Sequence, residues 1–174
     1  MSSILNKDEI RLSGIIQESI VDGPGMRYVV FTQGCPKRCF MCHNEATQPL
    51  IGGYIEKLDK IVDGFSKNPL LSGITISGGE PFIQPDKVLY LVRKAKELDL
   101  NVLLYSGYYY EELIKMNNVH VNNILMEADY LVDGPFEYIL KNLNLLFRGS
   151  SNQRIIDLKN SWSKKELAII ESFE

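Results

Sequence analysis

Met26-Arg27-Tyr28-Val29-Val30-Phe31-Thr32 is a run of mostly β-branched and aromatic residues. It gives way at once to Gln33-Gly34-Cys35-Pro36-Lys37-Arg38-Cys39-Phe40-Met41-Cys42. A continuous apolar run with no polar alternation reads as a strand buried on both faces, as in parallel sheets. Four further runs share the character: Gly73–Ser77, Asn101–Ser106, Tyr130–Asp133 and Arg154–Leu158. From the second onward they recur at about 25–30 residues, the size of a βαβ unit. Helical patterns fall between them. The stretch Tyr54–Phe65 sets Leu58, Ile61, Val62 and Phe65 on one side, and Pro85–Leu98 does the same with Val88, Leu91, Val92 and Ala95. A last helix is predicted from the capping box Ser163 and Glu166, burying Leu167, Ile169 and Ile170. The class is therefore α/β with a parallel sheet. A full eight-unit barrel needs about 250 residues, so 174 residues allow five to six units, as a partial (β/α) barrel open at one side or an ordinary open sheet. Ahead of the first run, Arg11–Ile20 is a candidate strand, turned back by Val21-Asp22-Gly23-Pro24-Gly25 into a hairpin.

Composition narrows the partners. A formal charge of −3 excludes a broad surface for nucleic acid or anionic membrane. No stretch approaches the roughly 20 apolar residues of a membrane helix, and the first residues lack the basic-then-apolar signal pattern. The expectation is one domain over 1–174, in the cytoplasm, where thiols stay reduced and clustered cysteines point to metal or redox chemistry.

The chain has 3 cysteines, all in the one loop. The loop follows the C-terminal end of a core strand, the edge where parallel α/β folds gather ligands. Pairing two as a disulfide strands the third. Zinc with His43 as fourth ligand asks adjacent Cys42 and His43 to reach two corners of one tetrahedron. Iron–sulfur clusters usually take four thiolates; Cys35, Cys39 and Cys42 leave one iron of a 4Fe–4S cluster for an outside ligand. Lys37 and Arg38 add positive charge beside an anionic core. One unit later, Ser77-Gly78-Gly79-Glu80-Pro81 closes a strand, where two glycines let backbone approach a ligand and Glu80 offers a carboxylate suited to an ammonium group.

Cys-x3-Cys-x2-Cys after a first strand, with Gly78-Gly79-Glu80 behind it, resembles the radical S-adenosylmethionine (SAM) superfamily. The resemblance implies a 4Fe–4S cluster whose open iron is chelated by the methionine end of SAM. It implies that the Gly-Gly-Glu motif bonds the methionine amino group, and that Met41, Cys42 and His43 lie beside the cofactor. Met41 stands where an aromatic residue often seats adenine. Ser106 and Asp133, at the ends of the third and fourth runs, are candidates for the ribose or the methionine end; Asn152 and Arg154 are weaker candidates for the nucleoside. Asp22-Gly23-Pro24-Gly25-Met26-Arg27 resembles the signature of glycyl-radical-enzyme activators. Over about residues 15–158, Phe31 to Cys35, Cys42-His43-Asn44, Tyr105 to Tyr108, Ala128 to Phe136 and Gly149 to Arg154 resemble the group that activates anaerobic ribonucleoside-triphosphate reductase. That resemblance implies glycine Cα hydrogen abstraction from this reductase, with a flavodoxin-like electron donor. Activation of another glycyl radical enzyme such as pyruvate formate-lyase, and a zinc-stabilised binding module, are the competing readings. Arg27 is expected in a local salt bridge, ordering the cluster loop. An open-sided barrel suits a partner that inserts an extended segment, held by backbone pairing.

Overall fold

The computed structural model describes residues 5–164, 166–171 and 173. One eight-stranded sheet runs through it in the order β3-β1-β2-β4-β5-β6-β7-β8. The strands are β1 (Glu9–Ser19), β2 (Arg27–Thr32), β3 (Tyr54–Lys57), β4 (Gly73–Gly78), β5 (Asn101–Tyr105), β6 (Tyr130–Asp133), β7 (Arg154–Asp157) and β8 (Ile169–Ile170). The helices are α1 (Leu58–Ser66), α2 (Pro85–Glu97), α3 (Tyr110–Lys115), α4 (Val119–Glu127) and α5 (Leu158–Lys164). Strands β2, β4, β5 and β6 are parallel neighbours. The expected open, partial (β/α) architecture is the one observed, and the hairpin of β1 on β2 forms as the Asp22–Gly25 turn predicts.

Three details differ from the sequence expectation. Arg154–Asp157 runs antiparallel to β6, because the connection from Asp133 carries only a single 3₁₀ turn and no crossover helix. The first four residues of the expected Tyr54–Phe65 helix form β3, paired to β1 through Tyr54↔Leu12 and Lys57↔Glu9. The Ser163/Glu166 helix start is not there: Ser163 lies in the last turn of α5, its hydroxyl donating to the Asn160 carbonyl, and Ile169–Ile170 pair with β7.

Alternation along the strands divides the buried residues into two sets. Tyr28, Val30, Ile74, Ile76, Val102, Leu104, Leu131 and Ile156 face outward against α1, α2 and α4, which bring Leu58, Ile61, Phe65, Val88, Leu91, Val92, Ala95, Val121, Ile124 and Leu125. At roughly 1.5–3 kcal/mol per buried large apolar side chain, this layer dominates stability. The inner face holds a smaller group: Leu103, Val132 and Ile155, with Tyr105, Tyr130, Ile170 and Phe173 against it.

Among the described residues the expected salt bridge of Arg27 does not form. Arg27 is fully buried at the start of β2, donating to Thr75 Oγ1 (3.1 Å), Asn101 Oδ1 (3.1 Å) and the carbonyls of Ile74, Asn101 and Pro24. Burial lowers its pKa to about 10. It joins the beginnings of β2, β4 and β5, at the edge opposite the cysteine loop. Among the described residues no helix is long and apolar enough to cross a membrane.

Candidate active site

The cysteine loop leaves β2 at Thr32 and is pinned at its base. Gln33 is buried and its Nε2 donates to the Ala46 (3.2 Å) and Pro49 (2.7 Å) carbonyls. The Gly34 and Cys35 amides donate to the carbonyls of Thr47 (2.7 Å) and Gln48 (3.0 Å), and Gln48 Nε2 donates to the Cys39 carbonyl (3.3 Å). Gly34, Arg38 and Met41 adopt φ of 99°, 47° and 55°, left-handed geometry that coils the chain between the thiols. All three thiols are half-buried and border one cavity of about 230 Å³. Burial pushes the Cys35 and Cys39 thiols up. Among the described residues no three His, Cys, Asp or Glu side chains are gathered for a single metal ion; the sulfurs share a cavity, not a point. Soft thiolates on one coiled loop are the donor set that iron–sulfur clusters take, and ligation by positive iron would hold them deprotonated.

The opposite wall of the cavity is the end of β4. Gly78 has φ of 99°, and a Cβ there would strike the backbone of Phe31 and Thr32. The Gly79 amide donates to the Thr32 carbonyl (2.8 Å) and the Glu80 amide to the Gly34 carbonyl (2.7 Å), stitching the motif to the cysteine loop. Gly78 and Gly79 border the cavity, together with Ser77, Tyr105 and Ser106. Glu80 is placed differently. It is fully buried behind that wall, accepting from Ser106 Oγ (3.1 Å), the Gly107 amide (2.8 Å) and the Phe82 amide (3.1 Å). Burial pushes its carboxyl up to about 7 against the pull of those donors. Its geometry is that of a latch between the ends of β4 and β5. Ser106 shares in it, donating to Glu80 while accepting from the Tyr108 amide (3.0 Å).

Asp133 is likewise engaged. It is fully buried, forms a two-point ion pair with Arg154 and accepts from the Tyr110 amide (2.7 Å); it does not border the cavity. The antiparallel register Asp133↔Arg154 brings the pair together, and Arg154 continues to Glu111 (2.8 Å). Asn152 Nδ2 donates to the Pro135 carbonyl (2.8 Å). Between these two residues, Gln153 reaches the cavity instead, its side chain accepting from the Gly149 amide (2.8 Å) and donating to the Gly134 carbonyl (3.1 Å). His43 borders the cavity with its ring 4.8 Å from that of Phe136. Met41 is half-exposed and outside it. Lys37 Nζ sits 3.9 Å over the Tyr108 ring and 3.4 Å from Glu112, tying the loop to the start of α3; Arg38 is exposed. The sequence reading did not single out Gln153, Tyr105 or Phe136. Their signal was positional: each lies within three residues of a strand terminus on the edge that carries the cysteines. A larger apolar cavity, about 590 Å³ between α3 and α5, holds Trp162 and Leu167 but no thiol.

Residues 21–156 match the family described as a 4Fe-4S single cluster domain. The chain belongs to that family. It is 35% identical over 151 residues to the anaerobic ribonucleoside-triphosphate reductase-activating protein of Salmonella typhi, covering 80% of this chain and 94% of that protein. It is 31% identical over 140 residues to the pyruvate formate-lyase-activating enzyme of Clostridium pasteurianum, covering 74% of this chain and 56% of that one, so it spans about half of this longer relative. A phage T4 protein carrying the first of these names is 30% identical over 143 residues, covering 78% of this chain and 86% of its own. Within the family the chain is a radical SAM protein of the activating-enzyme group.

Proposed function

We propose that this chain installs a glycyl radical on an anaerobic ribonucleoside-triphosphate reductase, abstracting one glycine Cα hydrogen with a radical made from SAM. The observation that supports it most is the set of three thiols, and no fourth in the sequence, facing the Gly78–Gly79 backbone across one cavity. A 4Fe–4S cluster with an open iron, when bound, supplies the electron that cleaves the sulfonium C–S bond of SAM.

The chain's own residues bind, orient and exclude. Cys35, Cys39 and Cys42 would hold the cluster. Gly78 and Gly79 let the β4 end pack against the β2 end and the cysteine loop, where any Cβ would collide, and so hold their backbone at the cavity for the methionine end. Glu80 fixes that backbone through Ser106 and Gly107. Gln153 and Tyr105 supply polar groups at the cavity for the nucleoside. No general acid or base is needed, because a backbone glycyl radical is delocalised over its amides and the hydrogen moves downhill from glycine to a primary alkyl radical. A flavodoxin-like protein is the proposed electron donor. Full-length similarity to the Salmonella protein favours the reductase as partner; the Clostridium match makes pyruvate formate-lyase the second reading.

The test incubates anaerobically reconstituted protein with SAM, a reductant and each candidate partner. Electron paramagnetic resonance then looks for the glycyl doublet. The reductase should give it. A doublet from pyruvate formate-lyase alone reassigns the partner, and a colourless, zinc-loaded protein overturns the reading.

A further inference from the structure

The far edge of the sheet is closed by a strand of 2 residues. Strand β8 pairs antiparallel with β7 through Ile170↔Ile155 and Ile169↔Ile156, extended by the Asp157 amide donating to the Ala168 carbonyl (2.9 Å). Ile170 points to the inner face beside Ile155 and Leu103, whereas Ile169 is 47% exposed. Phe173 sets its ring edge-on to Tyr130 (4.8 Å) and Phe147 (5.5 Å). The Phe147 carbonyl accepts from Tyr105 Oη (3.0 Å), and Tyr105 borders the cysteine cavity. The segment made of residues 166–171 and 173 therefore lies one ring contact and one hydrogen bond from the wall of the site. It also lies beyond residue 156, where the family match ends.

An edge strand this short has few ladder bonds, and a longer strand pairing with the same edge can replace it. We infer that the β7 edge, with the inner apolar slot beneath it, is the docking surface for the partner's extended glycine-bearing segment, and that residues 166–171 and 173 occupy this surface until the partner displaces them. This rests on the glycyl-radical reading above. The register says what fits. A strand antiparallel to β7 runs from the Asp157 end toward Arg154, and so toward Gln153 at the cavity. It must offer an apolar residue opposite Ile155. At about 3.3 Å per residue, a glycine two or three positions further on arrives at the cavity mouth.

Hydrogen–deuterium exchange on the cluster-loaded protein, with and without the reductase, tests this. Residues 166–171 and 173 should exchange at least tenfold faster once the reductase binds, while the Ile155 amide, on the same side of β7 as the Asp157 amide that donates to Ala168, stays protected by the incoming strand. Unchanged protection of residues 166–171 and 173 in the bound complex overturns the inference, as does loss of protection at Ile155. Ile170→Ala and Phe173→Ala should each tighten reductase binding several-fold, with Ile169→Ala neutral; unchanged or weaker binding by the first two counts against it. If those variants unfold by circular dichroism, the exchange result on the unaltered chain decides. Formation of 5′-deoxyadenosine in the presence of the reductase, whose glycine Cα supplies the hydrogen, separates the two claims. Its presence with no strand exchange defeats the docking surface alone, whereas its absence defeats the radical chemistry.

Discussion

Each cysteine thiol is half-buried and packs little apolar surface, so removing one should cost iron rather than fold. Cys35→Ala, Cys39→Ala and Cys42→Ala should each lose the cluster's visible absorption and its iron, with a change in unfolding free energy of about 1 kcal/mol or less. Glu80 behaves in the opposite way. Its folded pKa, about 7, stands above the 4.5 of an unperturbed glutamate. The folded state therefore binds the extra proton between those values, and stability falls as pH rises through that window. At pH above 7 the ionised, buried group costs about 3 kcal/mol relative to the protonated one. Urea unfolding of the native chain and Glu80→Gln at several pH values should show a difference that changes across pH 4.5–7 and is flat outside it. A constant difference contradicts the account. Arg27→Met should destabilise by about 3 kcal/mol, because the Ile74 and Asn101 carbonyls lose their donors inside the protein. Iron content should stay normal, since Arg27 joins strand beginnings and the cysteines follow a strand end.

Gly79 is where the β4 end meets the cysteine loop, and an added Cβ would run into the Gly34 carbonyl. Gly79→Ala should keep its iron and lose SAM affinity at least tenfold by equilibrium binding; unaltered affinity would mean that the close approach of the two loops is not used. How such elements read in the sequence depends on how local their cause is. The strands β2, β4, β5 and β6 were legible because burial on both faces leaves an unbroken apolar run. The cysteine loop was legible because its residue types are rare and adjacent. β7 was found but given the wrong direction: the 20-odd residues before it have the length of a βαβ crossover, and length does not say whether a helix forms. Tyr54-Ile55-Glu56-Lys57 was absorbed into α1 because its pairing partner, β1, lies far away in sequence. Ser163 and Glu166 matched a capping box that α5 overran. At the site, Gly78 and Gly79 border the cavity, while Glu80 and Asp133 are drawn into bonds with Ser106, Gly107 and Arg154. No pattern along the chain announces those partners, since the sheet alone brings them together.

Taken across the sheet, the molecule separates its tasks by face and by edge. The outer face carries the helices and most of the buried apolar area. The inner face is small and closed by β8 and Phe173. The edge at the C-terminal ends of β2, β4, β5 and β6 collects the thiols, the glycine pair and Gln153. The function proposed for that edge depends on one iron of the cluster being left without a thiolate. Electron paramagnetic resonance of the reduced, reconstituted protein with and without SAM examines that iron directly. The account predicts a cluster signal whose shape and g values change when SAM is added, because the methionine end enters the iron's coordination. A cluster signal identical in both samples would contradict it.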